Sequence, residues 1–490
     1  MTGILPPENV IPSLTGGALS RAGHDLVTPF AVALGDGQSL LIDKVLRLVP
    51  GRRIVGQATT ADGATVLAKL FLGRSGARYA ARERHGLQAL KRSGVPAPAF
   101  LSEHEIDGGQ LVTLEFLPGA ISLMDAWSGS PTPACLRELL ASLGQMHKYG
   151  VVQNDIHLDN FLLSEEKLYL IDGGAIEQKS SEPLDETPAF RNLATFFAQL
   201  YPRFDAMMPD VIDAYLAARD WQVSEHTVEQ LREEIARERQ RRKRVYISKA
   251  FRECSRYVCR TSMRRFVVCD RAGLDSDMEA LLADPDSFIS QGELLKDGNT
   301  ATVARVNLAR GPVVVKRYNI KDRGHGLRRA VTRSRASRSW TNAHHMELLG
   351  IPALKPLALI EKRLGPFRGT TYLITDYIDG PDALSSLASP SDDAPGMDGI
   401  TTILERLARA RITHGDLKAT NFLMSDVGPV IIDLDAMREH RSRDRFSRAF
   451  SRDLRRFLAN WDDKPRLAEA FRSRLQPLTT DLDIPAALVP

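Results

Sequence analysis

Hydrophobic and polar positions fall into the same order twice along the chain. An apolar run broken by a glycine turn, LVPGRR, leads to TVLAKLF, and LKDGNTATV leads in the same way to VVVKRY. These runs have strand character, with buried-type residues on either side of a turn. A stretch of helical periodicity follows each lysine and closes on a proline turn, GLQALKRSGVPAP and HHMELLGIPAL. A further strand then enters a turn rich in Gly, Pro or Asp, LVTLEFLPG and YLITDYIDG, and a helix follows, ELLASLGQMHKYG and ILERLARAR. Each half therefore predicts a strand-rich lobe followed by a helical lobe, an α+β architecture present in two tandem copies. The pattern divides the chain into 36–265 and 266–490. Residues 1–35 show weak periodicity, consistent with partial disorder, and Ala388 to Asp398 reads as a loop.

Polar residues keep matching positions within this frame. Gly51 precedes Lys69 by 18 positions, and Gly298 precedes Lys316 by 18. Asp155, Asn160 and Asp172 are separated by 5 and 12 positions, as are Asp416, Asn421 and Asp433. A single Asp-x-x-x-x-Asn arises readily by chance, and each aspartate alone is as well explained as a helix cap or turn residue. Two full sets sharing three offsets are not.

The residue types suit phosphoryl transfer, which consists mostly of positioning and charge neutralisation. Asp155 and Asp416 stand where a catalytic-loop aspartate would orient an attacking hydroxyl. Asn160 and Asn421 can ligate a metal through the side-chain oxygen. Asp172 and Asp433 end the apolar runs LYLID and PVIID, as a metal-binding aspartate should. Hard oxygen ligands of this kind suit Mg²⁺. Lys69 and Lys316 each close a first-lobe strand, where a lysine would clamp the phosphates of ATP. Lys418, two positions after Asp416, is placed to neutralise the transferred group.

Composition adds bounds. At 490 residues the chain exceeds one ordinary core. Its four cysteines, Cys135, Cys254, Cys259 and Cys269, form no Cys-x-x-Cys pair and read as reduced thiols. No apolar run is long enough to span a bilayer, and Met1 to Ala22 lacks the pattern of a secretory signal. Net charge is only +4, yet Arg and Lys concentrate in 237–265, in 323–338 and in 438–456. Any one run reads most simply as a solvated helix face. Three together point to an anionic partner, a phosphorylated substrate or an anionic membrane surface. No nucleic-acid-binding signature accompanies the charge, so nucleic acid is not expected.

Three segments carry a family resemblance: His414-Gly-Asp-Leu-Lys-Ala-Thr-Asn-Phe-Leu423 with IIDLDAMR, Trp340-Thr-Asn-Ala-His344 before LLGIPALKPLALIEKR, and Asp155-Ile-His-Leu-Asp-Asn-Phe-Leu-Leu163 with YLIDGGAI. Together they resemble the lipopolysaccharide kinases of Gram-negative bacteria, the Kdo/heptose kinases. The resemblance implies a protein-kinase-like fold and a cytoplasmic enzyme. It also implies phosphorylation of inner-core sugars at the inner face of the inner membrane, with catalytic aspartates at Asp155 and Asp416 and metal ligands at Asn160, Asp172, Asn421 and Asp433. The halves depart from the pattern differently. The first has Gln153 where a histidine is usual and Asp172-Gly-Gly in place of Asp-Phe-Gly, but it offers Glu83 as a partner for Lys69. The second keeps His414 but has Ser339 at the position matching Glu83, leaving Asn342 and Glu347 as unranked partners for Lys316. Two other readings stand beside this one. One is a kinase for a small alcohol or aminoglycoside. The other is a protein kinase, or a tandem in which one half is a scaffold.

Overall fold

The computed structural model describes all residues except 1–10, 23–25, 36, 127–131, 223, 320–332, 366, 388–394, 483 and 485–490. The chain forms two compact units. The first comprises 1–200 and 206–238, the second 201–205 and 239–490. The division falls inside the helix Glu225–Lys249. The strands Tyr257–Thr261 and Arg265–Asp270, on either side of the position suggested by the charge pattern, both belong to the sheet of the second unit.

The first unit opens with a six-stranded antiparallel sheet in the spatial order Phe30–Ala33, Ser39–Val49, Arg53–Thr59, Thr65–Leu72, Gly109–Glu115, Phe100–Ile106. Alternation buries one face of Arg53–Thr59, while Thr65–Leu72 is buried almost throughout, as a central strand must be. Leu40, Ile42, Ile54, Ala68 and Leu70 form the core beneath it. The described part of 1–35 joins this core: Leu19 and Phe30 are buried, and Phe30–Ala33 is the edge strand. Between the fourth and fifth strands in sequence runs the helix Gly76–Ser93, ended by Gly94 in the left-handed conformation. Downstream the unit is mainly helical, with Pro133–Lys148, Glu186–Phe197 and Met208–Ala218.

The second unit has a seven-stranded sheet in the order Tyr257–Thr261, Arg265–Asp270, Pro356–Leu364, Phe367–Asp376, Gly311–Tyr318, Ala301–Leu308, Glu293–Gly298. Its last five strands follow the same connectivity as five of the first unit's, with the helix Arg335–Leu348 at the matching place. The helices Pro395–Arg409, Arg443–Leu458 and Pro465–Asp481 pack around Phe457, Trp461 and Phe471, whose rings stack and cross at 4.9 to 6.2 Å. The expected loop at 388–398 is helical from Pro395 onward, and 388–394 lie outside the described residues. All four cysteines are free. No described helix is long and apolar enough to cross a membrane.

Candidate active sites

In the first unit, Lys69 projects from the buried strand Thr65–Leu72, and its Nζ lies 2.5 Å from Glu83 Oε1 on the helix. Glu83 is 1% exposed. It also accepts the backbone N–H groups of Gly173 (3.1 Å) and Gly174 (2.9 Å), directly after Asp172. One carboxylate therefore ties the strand lysine, the helix and the metal-loop backbone together. The glycines make this possible. A Cβ on Gly86 would lie 1.9 Å from the Gly173 carbonyl oxygen, and one on Gly173 would lie 2.5 Å from the Glu83 carbonyl oxygen. Asp172-Gly-Gly is thus the sequence that lets the helix sit directly on the loop. Gly51 takes φ +67° in its turn, as the sequence predicts for a tight glycine loop. Gly298 takes no positive φ, so its backbone does not require glycine.

The two Asp-x-x-x-x-Asn loops share the same hydrogen bonds. Asn160 Nδ2 donates to the Asp155 carbonyl oxygen at 2.8 Å, and Asn421 Nδ2 donates to the Asp416 carbonyl oxygen at 2.8 Å. The carbonyl oxygens of both asparagines accept from the residues before Asp172 and Asp433, Ile171 and Ile432, each at 2.9 Å. Asp172 and Asp433 both adopt the left-handed conformation, at φ 65° and 59°. With Nδ2 committed to the loop, each asparagine presents Oδ1, the oxygen a cation would use. An amide oxygen and a carboxylate match the sparse protein ligation that Mg²⁺ takes when phosphates and waters fill its remaining positions. Among the described residues there is no cluster of three or more His, Cys, Asp or Glu side chains suited to a metal.

The surroundings of the two loops differ. In the second unit, His414 Nε2 donates to the Ile432 carbonyl oxygen at 2.9 Å, fastening the catalytic loop to the strand before Asp433. Asp453, 4% exposed on the helix Arg443–Leu458, accepts from the backbone N–H groups of His414 (2.7 Å) and Gly415 (3.0 Å). Burial raises the Asp453 pKa above its ordinary value, against the pull of those two donors and His414. Asp416 is flanked by Lys418 Nζ at 3.1 Å and Arg456 Nη1 at 3.0 Å. Asp453 and Arg456 carried no signal in the repeated motif. They stand 37 and 40 residues after Asp416, and at the same distances after Asp155 stand Asn192 and Thr195. Asn192 reverses the bond, donating Nδ2 to the Gln153 carbonyl oxygen at 2.8 Å. Gln153 Oε1 contacts the Asp155 N–H at 3.4 Å, and Asp155 has no cationic partner among the described residues.

The second unit also resolves its lysine partner. Lys316 Nζ lies 2.6 Å from Asp433 Oδ1. Burial would raise the Asp433 pKa, but the charge and hydrogen bond of Lys316 outweigh it and hold the carboxyl below its ordinary value. Burial works against the Lys316 ammonium, yet Tyr318 and Asp433 raise its pKa overall. Neither sequence candidate pairs with it. Asn342 Nδ2 donates to the Leu434 carbonyl oxygen at 2.7 Å, and Glu347 binds Arg256 and His344. Ser339 bonds Tyr318 Oη at 3.0 Å. The helix is fastened to the metal loop by Arg335, 2.6 Å from Asp435 Oδ2, and not by a glutamate.

Much of the basic run 237–265 is occupied internally. Arg239 pairs with Asp205, Lys243 with Glu439, Arg256 with Glu347 and Arg260 with Glu279. The run 323–338 is described only from 333 onward.

Comparison with known proteins agrees with this chemistry. Residues 290–474 match the model of the Lipopolysaccharide kinase (Kdo/WaaP) family. A stretch of 107 residues, 20% of the chain, is 31% identical to serine/threonine-protein kinase PknG of Mycolicibacterium smegmatis, and spans 14% of that protein's length. The solved structure of vaccinia related kinase 3 aligns with 12% identity over 44% of this chain and 87% of that one, at a TM-score of 0.29, too low to bear on the fold. Over residues 290–474 the chain is similar to the lipopolysaccharide kinase (Kdo/WaaP) family, a similarity that marks it as a kinase.

Proposed function

We propose that the second unit transfers the γ-phosphoryl group of ATP to a hydroxyl of an inner-core lipopolysaccharide sugar, heptose or Kdo. The observation that carries this reading is the catalytic loop inside the matched segment. Asp416 is held by His414, Asp453 and Asn421 through the backbone around it, and its carboxylate is flanked by Lys418 and Arg456. Asp416 accepts the proton of the acceptor hydroxyl as that oxygen bonds to the γ-phosphorus and the bond to the ADP oxygen breaks. Lys418 and Arg456 lie where the transferred group carries negative charge. Lys316, held at Asp433, is positioned for the non-transferred phosphates. Asn421 Oδ1 and Asp433 would hold Mg²⁺, which when bound neutralises the phosphate oxygens. Arginine-rich surroundings favour an anionic acceptor over a cationic aminoglycoside.

The first unit reads as a second kinase-like copy that keeps the Lys69–Glu83 half of the site and lacks the cationic setting of the aspartate. Gly51, Lys69 and Glu83 would serve nucleotide binding there, with Asn160 and Asp172 as metal ligands and Asp155 as the matching aspartate. The chain would act at the cytoplasmic side of the membrane, with peripheral contact through exposed basic residues outside the helix Arg443–Leu458. Incubating the full chain with γ-labelled ATP, Mg²⁺ and deacylated core oligosaccharide tests the reading. Label should enter the sugar, and label found only in inorganic phosphate or in added protein would overturn it.

A further inference from the structure

Arg438, Arg445, Arg448 and Arg452, in the run 438–456, differ from the paired arginines of 237–265 in having no acidic partner among the described residues. Arg445, Arg448, Arg452 and Arg456 succeed one another at steps of 3, 4 and 4 along the helix Arg443–Leu458. That spacing places them on one exposed face, opposite the buried Phe446, Phe450, Leu454 and Phe457. With a rise of 1.5 Å per residue the row extends about 16 Å. One end is fixed functionally: Arg456 Nη1 touches Asp416 Oδ1 at 3.0 Å and the Gly415 carbonyl oxygen at 2.9 Å. The other end opens into a cavity of about 440 Å³ bordered by Arg438, His440, Arg445, Arg448 and Arg452. Arg438 and Glu439 pair with Thr413 and Ile412, directly before His414, so the cavity and the catalytic loop share a strand pair.

The charge in this cavity is uncompensated. Its one acid, Glu439, is already bound by Lys243 and by Gln240 Nε2. Among the described residues Arg438, Arg445, Arg448 and Arg452 have no carboxylate partner, and Arg448 Nε reaches only the Asp444 carbonyl oxygen. Like charges spaced three and four apart on a helix repel, so the row weakens the helix it stands on. A row that costs stability and ends on the catalytic aspartate calls for an anionic ligand. The first unit has no such row. Leu184, Thr187, Arg191 and Thr195 occupy the matching positions, and Glu177 stands where the second unit has Arg438.

We propose that this row is the acceptor subsite of the second unit: Arg438, Arg445, Arg448 and Arg452 grip a phosphate or carboxylate of the acceptor while a hydroxyl on the same molecule lies at Asp416. The proposal rests on the kinase reading above and adds to it the part of the substrate that is recognised. Guanidinium groups bind both anions in bidentate fashion, and binding at a remote anion orients the hydroxyl before transfer. The acceptor therefore carries an anionic group within about 16 Å of the hydroxyl that is phosphorylated.

The test uses the full chain and one fluorescently labelled deacylated core oligosaccharide in three forms: intact, phosphatase-treated and carboxyl-reduced. Binding is read by anisotropy without ATP, and transfer is read separately as KM and kcat. The intact form should bind at least about tenfold more tightly than one of the stripped forms, which identifies the anion. Arg445→Ala with Arg448→Ala should remove that preference and lower kcat/KM about tenfold. Equal binding of all three forms would overturn the proposal, as would an unchanged preference in the double variant. So would loss of binding to phosphatidylglycerol vesicles with oligosaccharide binding intact, since the row would then contact membrane. The binding arm needs no transfer, so an oligosaccharide that binds as expected and is not phosphorylated would refute the kinase acceptor and leave the subsite standing.

Discussion

The two units divide between them the features that a single kinase site would combine. The first has the buried lysine–glutamate pair, with Glu83 joining Lys69 to the loop after Asp172. Its catalytic loop is weakly supported, with Gln153 and Asn192 where the second unit has His414 and Asp453. The second has the braced loop and the cations around Asp416, while its lysine turns to Asp433 and its helix is fixed through Arg335 and Asp435. Two different sets of partners thus surround one repeated Asp-Asn-Asp frame. Pairing on the helix side ties the helix to the loop after Asp172, and bracing on the loop side fixes the backbone around Asp416.

The largest effect that would sharpen this contrast is on rate. Asp416→Ala should lower transfer to core oligosaccharide by about 10³-fold, the range of a general base. Stability should show the opposite bias. Lys69→Met strands the buried Glu83 carboxylate and should cost the first unit about 3 kcal/mol in denaturant melts. Lys316→Met should cost the second unit only about 1 kcal/mol, because the side chain of Asp433 is 33% exposed. Equal losses would break the comparison. Acid should weaken both units alike. Burial lowers the pKa of His147 in the first unit to about 4, and burial with Lys243 does the same for His345 in the second. A histidine kept neutral in the fold contributes stability that is complete above the unfolded value of about 6.5 and is lost as pH falls toward 4. Each should forfeit about 2 to 3 kcal/mol between pH 7 and 4.5. A stability profile flat over that range would contradict the burial of neutral rings. A further effect separates the loops through Asp453→Asn, which exchanges a carboxylate accepting two N–H groups for the amide found at Asn192. It should cost about 2 kcal/mol in the second unit and lower kcat more than it raises KM.

The repeated frame was legible because strand and helix periods and fixed loop spacings are local properties of the chain. The order of strands and helices, the lysines, Glu83 and the Asp-Asn-Asp loops could be read that way. What escaped were partners fixed by packing between distant segments. Lys316 choosing Asp433 depends on a strand and a loop 117 positions apart. Asp453 and Arg456 lie in a helix whose sequence looks like an ordinary amphipathic one, with its arginines on the solvent side. The constant distance of Asn192 and Asp453 from their aspartates was the available signal, and the change of residue type concealed it. The glycines of Asp172-Gly-Gly read as a departure from pattern, and only the close approach of Gly86 gives them a reason.

The central claim is that transfer belongs to the second unit. The most direct measurement is the initial rate of phosphate transfer from ATP to core oligosaccharide by full chains carrying Asp155→Ala or Asp416→Ala, each checked for intact folding. The account predicts that Asp155→Ala keeps more than about a tenth of the rate while Asp416→Ala loses about 10³-fold. A loss in Asp155→Ala as deep as that in Asp416→Ala, or deeper, would contradict it.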